Sequence, residues 1–390
     1  MDKPKILYIS SVLPDTSCGA RIAIYRHFVL RDDFHIAIAS YDLKNEHIKD
    51  QFSIKRRKLG EILYKTRFAR YYYNFIFISN WYLMPKGLVN YVKAFDPDVI
   101  MTVPDNLHSG FALQLAELLN KPLVADYQDL FPLSLFFPQY CKPYNWVRKF
   151  LMKKYHKLNA SADKVLYTSE GMFDFFGRSR NGKVLYPIGH AIPKIESALE
   201  TNDNGKFTIL YAGNCYGSYG EMLLRLAKEI MQSENLHLKI FPAGNDWSKD
   251  DISLMANAGI YQSFLPFEEL KKELQKADAF LTVMSFKEVE KPFVQTSFTT
   301  KWLDYAPYGK PIFVWAPKYS SASIFAEKHR CGFVCDINDA KLVMGSFQKA
   351  LKDRSLARLF GENAQKVSDT ILNAENIHSI LKDTIKELTA

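Results

Sequence analysis

The sequence has few of the features that place a chain in a membrane or outside the cell. The longest uncharged run in its first part, Tyr71 to Pro85, has 15 residues, whereas a membrane-spanning helix needs roughly 20. The apolar run from Ile6 to Leu13 ends at Pro14 without the small residues of a signal-peptide cleavage site. We therefore expect no transmembrane segment, no export signal and a cytoplasmic chain.

Cysteine is also scarce, with five residues in a chain of 390. The number is odd and the spacing irregular, which argues against a disulfide framework. Cys331 and Cys335 have no second Cys/His pair to complete a zinc site. A reduced compartment and no metal site are expected.

Positive charge is concentrated in one half of the sequence. The whole chain has a formal net charge of +9, and residues 1–195 hold 28 Lys and Arg against 17 Asp and Glu. Residues 196–390 hold 23 against 25, and residues 51–95 hold nine basic residues against one acidic residue, Glu61. A local excess of this kind predicts an anionic partner for the first half.

Each half contains six short apolar runs separated by segments with helical periodicity. Continuous apolar strands that alternate with helices indicate parallel sheets covered on both faces. The predicted fold class is α/β, with two Rossmann-like doubly wound domains facing across a cleft. The predicted strands are Ile6–Leu13, His35–Tyr41, Asp98–Val103, Pro122–Asp126, Lys164–Thr168 and Lys183–Pro187, then Phe207–Ala212, Leu238–Pro242, Ile260–Leu265, Ala279–Met284, Pro311–Trp315 and Gly332–Cys335.

A Pro- and Gly-containing polar stretch between Pro187 and Lys206 is the best linker in the sequence. It predicts a first domain over residues 1–193, a second domain over 194–368 and a last helical segment over 369–390. Ligands of open parallel sheets bind beyond the carboxyl ends of the strands, so the loops there are the places to look for chemistry.

The segment from residue 297 to residue 311 is the most informative. Ser297, Thr299 and Thr300 precede a predicted helix that runs to about Tyr308, where Gly309 ends it. A helix N-terminus offers free N–H groups to a phosphate, and Asp304, one turn in, is placed to accept hydrogen bonds from a ribose diol. The alternative is an ordinary capped helix with a solvent-facing aspartate.

This segment resembles the donor-binding helix of family-4 glycosyltransferases with the GT-B fold, whose usual text is close to K-x-x-E-Y-x-A-x-G-K-P. The matching residues are Lys301, Tyr305, Ala306 and Gly309-Lys310-Pro311. The resemblance implies that Asp304 stands in the place of the ribose-binding glutamate. It also implies that the turn Thr299–Lys301 holds the diphosphate of a nucleotide sugar.

Other donor-side positions fit the same resemblance, which covers about 350 residues. Gly19 and Arg21 follow the first strand, as in the family's glycine loop, although Cys18 replaces the first of the usual two glycines. Gly213 and Asn214 end the strand that opens the donor domain. A plain strand–turn–helix connection remains the alternative for the first loop.

On the acceptor side, Asp126 and Asp129 resemble the family's strand ending in D-x-x-D. Two carboxylates at this edge would position an acceptor hydroxyl or act as a base, although Asp126 would serve equally to stabilise its loop. His108 follows a strand and precedes a helix. It is a candidate to orient the acceptor or the donor sugar, or else a satisfied loop histidine.

Two departures from the family pattern concern the donor sugar. Thr296 occupies the position of the family's first glutamate, and Glu288 and Glu290 are displaced from it. The usual arginine and lysine after the first donor-domain strand are missing, and Lys301 is the candidate to supply their charge.

Basic residues between 51 and 95 are interleaved with aromatic residues, a combination that suits docking on an anionic membrane. The alternatives are a solvated face over aromatic core residues, or nucleic-acid binding, for which no recognition motif is present. The predicted membrane or acceptor surface comprises Arg56, Arg57, Lys58, Lys65, Arg67 and Arg70.

The resemblance implies a glycosyltransferase that moves a sugar from a nucleotide-sugar donor to a glycan or lipid-linked acceptor. It implies that the first domain binds the acceptor, that the second binds the nucleotide sugar and that the last helical segment packs back toward the first domain. It implies a retaining, metal-independent reaction of the hexosyltransferase type, without a cofactor, in bacterial surface polysaccharide synthesis such as that of lipopolysaccharide. With the basic surface, it predicts a peripheral enzyme on the inner face of the cell membrane. The alternatives are a catalytically degenerate partner subunit and a GT-B sugar-nucleotide epimerase.

Overall fold

The computed structural model describes residues 3–16, 19–41, 43, 45–55, 58–63, 66–133, 141–189 and 205–389. They form two compact units. The first comprises Met1–Ile188, Thr296–Phe298 and Glu375–Ala390, and the second Gly189–Gln295 and Thr299–Ala374. The predicted boundary between residues 193 and 194 lies outside the described residues, so its position stays a prediction.

The first unit is built on a seven-stranded parallel sheet in the order β3-β2-β1-β4-β5-β6-β7. Leu7 of β1 lies opposite Ala37 of β2 and Ile100 of β4, so the strand order reverses between β1 and β4. The strands are β1 Lys5–Ile9, β2 His35–Tyr41, β3 Asp50–Ile54, β4 Val99–Thr102, β5 Leu123–Tyr127, β6 Lys164–Tyr167 and β7 Gly182–Val184.

Helices cover this sheet, because β1, β4 and β5 bury nearly all of their residues and need apolar partners on both faces. Val92, Phe111, Leu115 and Leu151 supply such partners in the common core. The helices are α1 Gly19–Phe28, α2 Lys58–Leu63, α3 Ala69–Ser79, α4 Leu88–Phe95, α5 Ser109–Leu119, α6 Asn145–Ser161 and α7 Glu170–Phe175, with a 3₁₀ turn at Phe131–Leu133.

The second unit is built on a five-stranded parallel sheet in the order β12-β11-β10-β8-β9. Its order reverses between β8 and β10, where Phe280 lies opposite Leu210. The strands are β8 Phe207–Cys215, β9 Leu236–Asn245, β10 Ala279–Val283, β11 Ile312–Trp315 and β12 Phe333–Cys335. The helices are α8 Gly217–Ile230, α9 Lys249–Asn257, α10 Phe267–Lys276, α11 Lys291–Thr296, α12 Lys301–Tyr305, α13 Ser321–His329, α14 Ala340–Lys352 and α15 Arg354–Asp369, with 3₁₀ turns at Glu288–Glu290 and Ala306–Tyr308.

The two parallel-sheet α/β units confirm the predicted fold class, but the division of strands into six and six was wrong. Asp50–Ile54 is an additional edge strand of the first sheet, and its partly polar sequence D-Q-F-S-I is not a continuous apolar run. The predicted strand Ile260–Leu265 is reduced to an isolated bridge between Tyr261 and Ile240.

The last helix, α16 (Ala374–Thr389), belongs to the first unit apart from its first residue. It buries Ile377, Leu381 and Ile385. At its end, Glu387 forms ion pairs with Lys164 at 2.5 Å and with Lys183 at 2.9 Å. Near its start, His378 Nδ1 lies 3.0 Å from the Nδ1 atom of His27 on α1.

Candidate functional site

The carboxyl edge of the first sheet gathers polar side chains at the point where the strand order reverses. Asp105, which follows β4, accepts hydrogen bonds from the backbone N–H groups of Ser11 at 2.6 Å and of His108 at 2.6 Å. Burial pushes the pKa of Asp105 upward, but the neighbouring His108 and the hydrogen bonds from Ser11 and His108 prevail and hold the pKa at about 2. The carboxylate therefore remains ionised and ties the loops after β1 and β4 together.

His108 is fully buried within this arrangement. Its Nε2 atom accepts the backbone N–H of Tyr41 at 3.2 Å, so the proton is on Nδ1, which donates to Asp105 at 2.9 Å. Both ring nitrogens are thus engaged inside the first unit. This geometry fits the satisfied loop histidine, the second of the two interpretations of His108, and does not fit direct contact with a substrate.

Asp126 and Asp129 follow the neighbouring strand, β5, and differ in environment. Asp126 has no exposed surface, and burial raises its pKa to about 7, against the opposing hydrogen bond from Gln128 Nε2 at 2.8 Å. Its Oδ1 atom is buried without a hydrogen-bond partner among the described residues. Asp129 is only partly buried, and burial raises its pKa to about 6, opposed by a hydrogen bond from Ser297. Both carboxyl groups therefore have pKa values near neutral pH, and Asp129 is the more accessible of the two.

The place of Ser297 in the fold corrects one donor-side prediction. Residues Thr296–Phe298 belong to the first unit, where Phe298 packs against Tyr186 with ring centroids 4.8 Å apart. Ser297 therefore lies in the first unit and does not begin the donor helix.

The loop after β1 is only partly described, because Cys18 lies outside the described residues. Gly19 begins α1, and a Cβ atom placed on it would meet no atom within 4 Å. The open space is compatible with close approach of a ligand. Arg21 pairs with Asp15 at 2.7 Å, so its guanidinium has a protein partner in this structure.

At the carboxyl edge of the second sheet, Gly213 ends the regular part of β8 with a φ of +141°. A Cβ atom at Gly213 would lie 2.7 Å from Lys301 Nζ, so the glycine makes room for the lysine. Lys301 Nζ is also 4.8 Å from the ring centroid of Tyr211. Burial lowers the pKa of Lys301, while the nearby charge of Asp304 opposes that shift. Lys301 forms no ion pair within the part of the chain that the structure describes.

The helix that carries Lys301 is shorter than the sequence indicates. α12 spans five residues and continues as the 3₁₀ turn Ala306–Tyr308, which ends at Gly309 with a left-handed φ of +62°. Thr300 precedes it with helical dihedral angles and makes no capping hydrogen bond through its side chain. The dipole of so short a helix is small. The ammonium group of Lys301 is thus the stronger attraction for an anion at this edge.

The residues around Lys301 are fixed to β8 and β10. Tyr305 accepts the backbone N–H of Ala212 at 2.8 Å through its hydroxyl group, which ties α12 to the end of β8. Thr299 Oγ1 is 3.5 Å from Thr282 Oγ1 of β10, and Asp304 is partly buried. Asn214 accepts the N–H of Tyr216 at 3.0 Å and so shapes the turn into α8.

The displaced carboxylates of the second unit have different neighbours. Glu288 forms an ion pair with Lys291 at 3.0 Å on the surface. Glu290 accepts a hydrogen bond from Ser218, in the first turn of α8, at 2.8 Å. Thr296, which stands in the place of the family's first glutamate, is fully buried in the first unit. Of the two displaced glutamates, Glu290 is therefore the one that contacts the start of α8.

Comparison with solved structures identifies the fold. A glycosyltransferase from Rickettsia africae ESF-5 superposes with a TM-score of 0.66 at 12% identity, over 100% of this chain and 99% of that chain. Anabaena HepE in complex with UDP-glucose gives 0.60 at 14%, over 98% and 99%. WaaG, a glycosyltransferase involved in lipopolysaccharide biosynthesis, gives 0.56 at 12%, over 97% and 99%. The fold is GT-B.

No protein-family model matches the sequence, and no curated protein matches it significantly. The likeness is thus one of GT-B structure at low identity. Activity has to be argued from the residues themselves.

The predicted basic surface of this GT-B chain is described only in part. Arg56, Arg57 and Lys65 lie outside the described residues, as does the side chain of Lys58. Arg67 is exposed and lies 5.0 Å from the ring centroid of Phe68, whereas Arg70 is partly buried and lies 4.4 Å from that of Tyr144.

The aromatic residues of the same stretch divide between core and surface. Tyr73, Phe77 and Trp81 are buried in the core of the first unit. Large apolar side chains on and around α3 are instead exposed, and we call this group the α3 surface: Phe68, Tyr71, Phe75, Tyr82 and Leu83. The interpretation that the aromatics are all core residues was therefore wrong for the four aromatic members of this surface.

Two features are absent from the described residues. No helix among them has the length and apolarity to cross a membrane. Among the same residues, no group of three or more His, Cys, Asp and Glu side chains is arranged to hold a metal ion.

Sequence reasoning missed Asp105 and Glu290 as site-edge carboxylates. Asp105 could have been found from the sequence, because it follows a buried strand and stands three residues before His108. At that spacing its carboxylate can accept the backbone N–H of His108. Glu290 carried no such indication, since its contact with Ser218 joins residues 72 positions apart.

Proposed function

We propose that this protein is a glycosyltransferase that binds a nucleotide-sugar donor at the carboxyl edge of the second sheet. The observation that carries the proposal is the placement of Lys301 Nζ beside Gly213, at the point where the strand order reverses. Ligands of doubly wound sheets bind at such points. An ammonium group without an ion-pair partner, next to a glycine that has no side chain, suits the binding of a diphosphate. HepE, which shares the fold, was solved with UDP-glucose.

Asp304, three residues after Lys301, is the proposed partner of the ribose diol. During transfer, the bond between the anomeric carbon and the diphosphate oxygen breaks, and negative charge accumulates on the departing diphosphate. Lys301 would stabilise that charge without a metal ion. Metal independence and retention of configuration are part of the proposal.

Asp129 is the proposed contact of the acceptor hydroxyl. A carboxylate with a pKa of about 6 is largely ionised at neutral pH, so it can accept a hydrogen bond from the acceptor hydroxyl and orient it. With retention, the new bond forms on the face that the diphosphate leaves, and the hydroxyl proton passes to the departing diphosphate oxygen. Asp126 and His108, both buried, would position the loops around Asp129. The acceptor is proposed to be a glycan or lipid-linked sugar of a bacterial surface polysaccharide, as the role printed for WaaG suggests.

The donor proposal is tested by thermal unfolding with UDP, GDP, CMP and ADP, each with and without EDTA. A ligand that binds only the native state stabilises it, by about 2.7 kcal/mol when the ligand is present at 100 times its Kd. This stabilisation raises the midpoint temperature of unfolding. We expect one nucleotide to raise it equally with and without EDTA. Lys301→Met, which keeps the apolar stem over Tyr211, and Asp304→Ala should each remove most of the shift.

The matched control is Lys318→Met, since Lys318 is 74% exposed in the same unit; its shift should equal that of the wild type. No shift with any nucleotide would contradict the proposal. Slow release of free sugar from the donor would separate an enzyme from a degenerate partner subunit. An epimerised sugar nucleotide among the products would instead identify an epimerase.

A further inference from the structure

The first unit contains a cavity of about 770 Å³ that none of the residues discussed as donor or catalytic candidates lines. It lies between the end of β3, the helix α3 and the turn that follows α3. Cavities of roughly 300–1,000 Å³ are typical of sites for small organic ligands. The cavity is therefore large enough for a ligand of its own.

Apolar side chains form one continuous part of the cavity lining, beside polar ones such as Ser79 and Asn80. Ile54 and Phe111, each 1% exposed, form its floor. Phe52, Ile76 and Met84 are partly exposed and form its walls, with Phe52 held against Tyr91 at a ring-centroid distance of 5.2 Å. Surface of this kind is stabilised when an apolar group displaces water from it.

Two cations complete the lining. Lys55, directly after β3, and Lys86, in the turn after α3, are both exposed and both line the cavity. Among the described residues that line the cavity there is no carboxylate. Neither lysine forms an ion pair with any residue in the described ranges. An apolar interior with two unpaired ammonium groups at its exposed side is complementary to an apolar chain that ends in a phosphate.

The cavity shares a wall with the loop at the carboxyl edge of the first sheet. Tyr41 lines the cavity, and its backbone N–H donates to His108 Nε2 at 3.2 Å. Asn80 also lines it and donates through Nδ2 to the carbonyl of Leu107 at 2.8 Å. A chain bound in the cavity would thus begin next to the loop that follows β4.

We propose that this cavity holds the apolar chain of a prenyl-phosphate-linked acceptor, whose phosphate contacts Lys55 and Lys86. The inference rests on the proposed function, because it names the class of acceptor that a transferase would use. A membrane phospholipid shares the same chemistry, an apolar chain with a phosphate, and the experiment has to separate the two.

The test measures direct binding to the full chain by titration calorimetry, without a donor. The probes are farnesyl diphosphate below its critical micelle concentration, farnesol, inorganic diphosphate and short-chain phosphatidic acid. We expect farnesyl diphosphate to bind about tenfold or more tightly than each of the others, because it alone combines both recognised parts in the proposed form.

Paired variants locate the binding. Ile76→Glu places a charge in the cavity wall and should abolish binding, whereas Ile62→Glu, at a 65% exposed isoleucine of α2, should not change it. Replacing both Lys55 and Lys86 by Ala should weaken binding by about tenfold or more. Lys93→Ala, which removes a charge from α4 outside the cavity, should not. Unchanged unfolding midpoints would show that each variant folds.

Equal effects of Ile76→Glu and Ile62→Glu, or equal binding of farnesyl diphosphate and diphosphate, would overturn the proposal. Phosphatidic acid binding as tightly as farnesyl diphosphate would also overturn it and assign the cavity to membrane lipid. Nucleotide-induced stabilisation, measured on the same samples, tests the donor proposal separately. If the nucleotide still stabilises the protein but farnesyl diphosphate does not bind, only the assignment of the cavity is contradicted. If farnesyl diphosphate binds but no nucleotide does, the proposed transferase is contradicted, and with it the role of the prenyl ligand as an acceptor.

Discussion

Asp126 is buried in surroundings that disfavour the ionised form of its carboxyl group. A carboxylate in water ionises with a pKa near 3.8, but burial raises the pKa of Asp126 to about 7. Gln128 donates to Oδ2, and Oδ1 has no partner among the described residues. At neutral pH the folded protein therefore carries a buried group that is about half ionised, and this ionisation opposes folding.

The folded state binds the proton of Asp126 more tightly than the unfolded state does. Stability from this group is consequently lost as pH rises from about 4 to about 7. Asp126→Asn keeps the shape and removes the charge. The difference in unfolding free energy between this variant and the wild type, measured by urea unfolding, should shift in favour of the variant by about 2–3 kcal/mol from pH 5 to pH 8.

Asp32→Asn is the matched control, because the Asp32 side chain is 91% exposed. Its difference from the wild type should not vary with pH. If the two variants behave alike, Asp126 is not titrating in a desolvated site.

Among the elements, α16 shows how a helix distant in sequence completes the first unit. Its buried contact with α1 is the pair His27 and His378, with Nδ1 atoms 3.0 Å apart. His378 Nε2 also lies 3.0 Å from Asp33 Oδ2, and Lys382 pairs with the same carboxylate. One of the two facing Nδ1 atoms has to donate and the other to accept, so at least one of the two rings must be neutral.

Acidification should loosen this contact. Burial first, and then the neighbouring His378 and Arg31, lower the pKa of His27 from 6.5 to about 3. A group with a depressed pKa contributes stability above pH 6.5 that is lost as pH falls. We expect the wild type to lose about 2 kcal/mol from this group between pH 7 and pH 5. His27→Asn, which retains a polar atom near the Nδ1 position, should lose less.

The measurement is the unfolding midpoint of both proteins across this pH range. His156→Asn, at an exposed histidine of α6, serves as the control and should follow the wild type. A His27→Asn variant as acid-sensitive as the wild type would show that the pair is not the cause.

The elements also show how far the sequence alone could be taken. Strands such as Leu123–Tyr127 and Ile312–Trp315 bury every residue, and their apolar runs were recognisable. The edge strand Asp50–Ile54 was not found, because one-sided burial leaves polar residues in its sequence.

Site residues were predictable where a motif is local and not where it depends on tertiary contacts. Gly213 and Lys301 were both singled out, but their proximity joins positions 88 residues apart in the sequence and appears only in the folded unit. Ser297 stands four positions before the first residue of α12 and yet belongs to the first unit. Sequence spacing could not show that the chain changes units within this short segment.

At the scale of the whole molecule, charge and apolar exposure coincide in the first half of the chain. Residues 1–195 carry an excess of 11 basic over acidic residues, and the α3 surface exposes five large apolar side chains. Lys154 Nζ lies 4.4 Å from the ring centroid of Tyr82, so cations and aromatic rings are interleaved there. Exposed aromatics beside cations suit insertion at the interface of an anionic bilayer.

We therefore expect the protein to sediment with phosphatidylglycerol vesicles and not with phosphatidylcholine vesicles at physiological salt. Each basic residue near an anionic surface contributes about 1 kcal/mol, and 1 M salt reduces the screening length to about 3 Å, which should release the protein. Replacing Phe68 and Tyr71 by Ser should lower the bound fraction several-fold. Leu118→Ser, at a 61% exposed leucine of α5, should leave it unchanged, and equal losses in the two variants would argue against docking through the α3 surface.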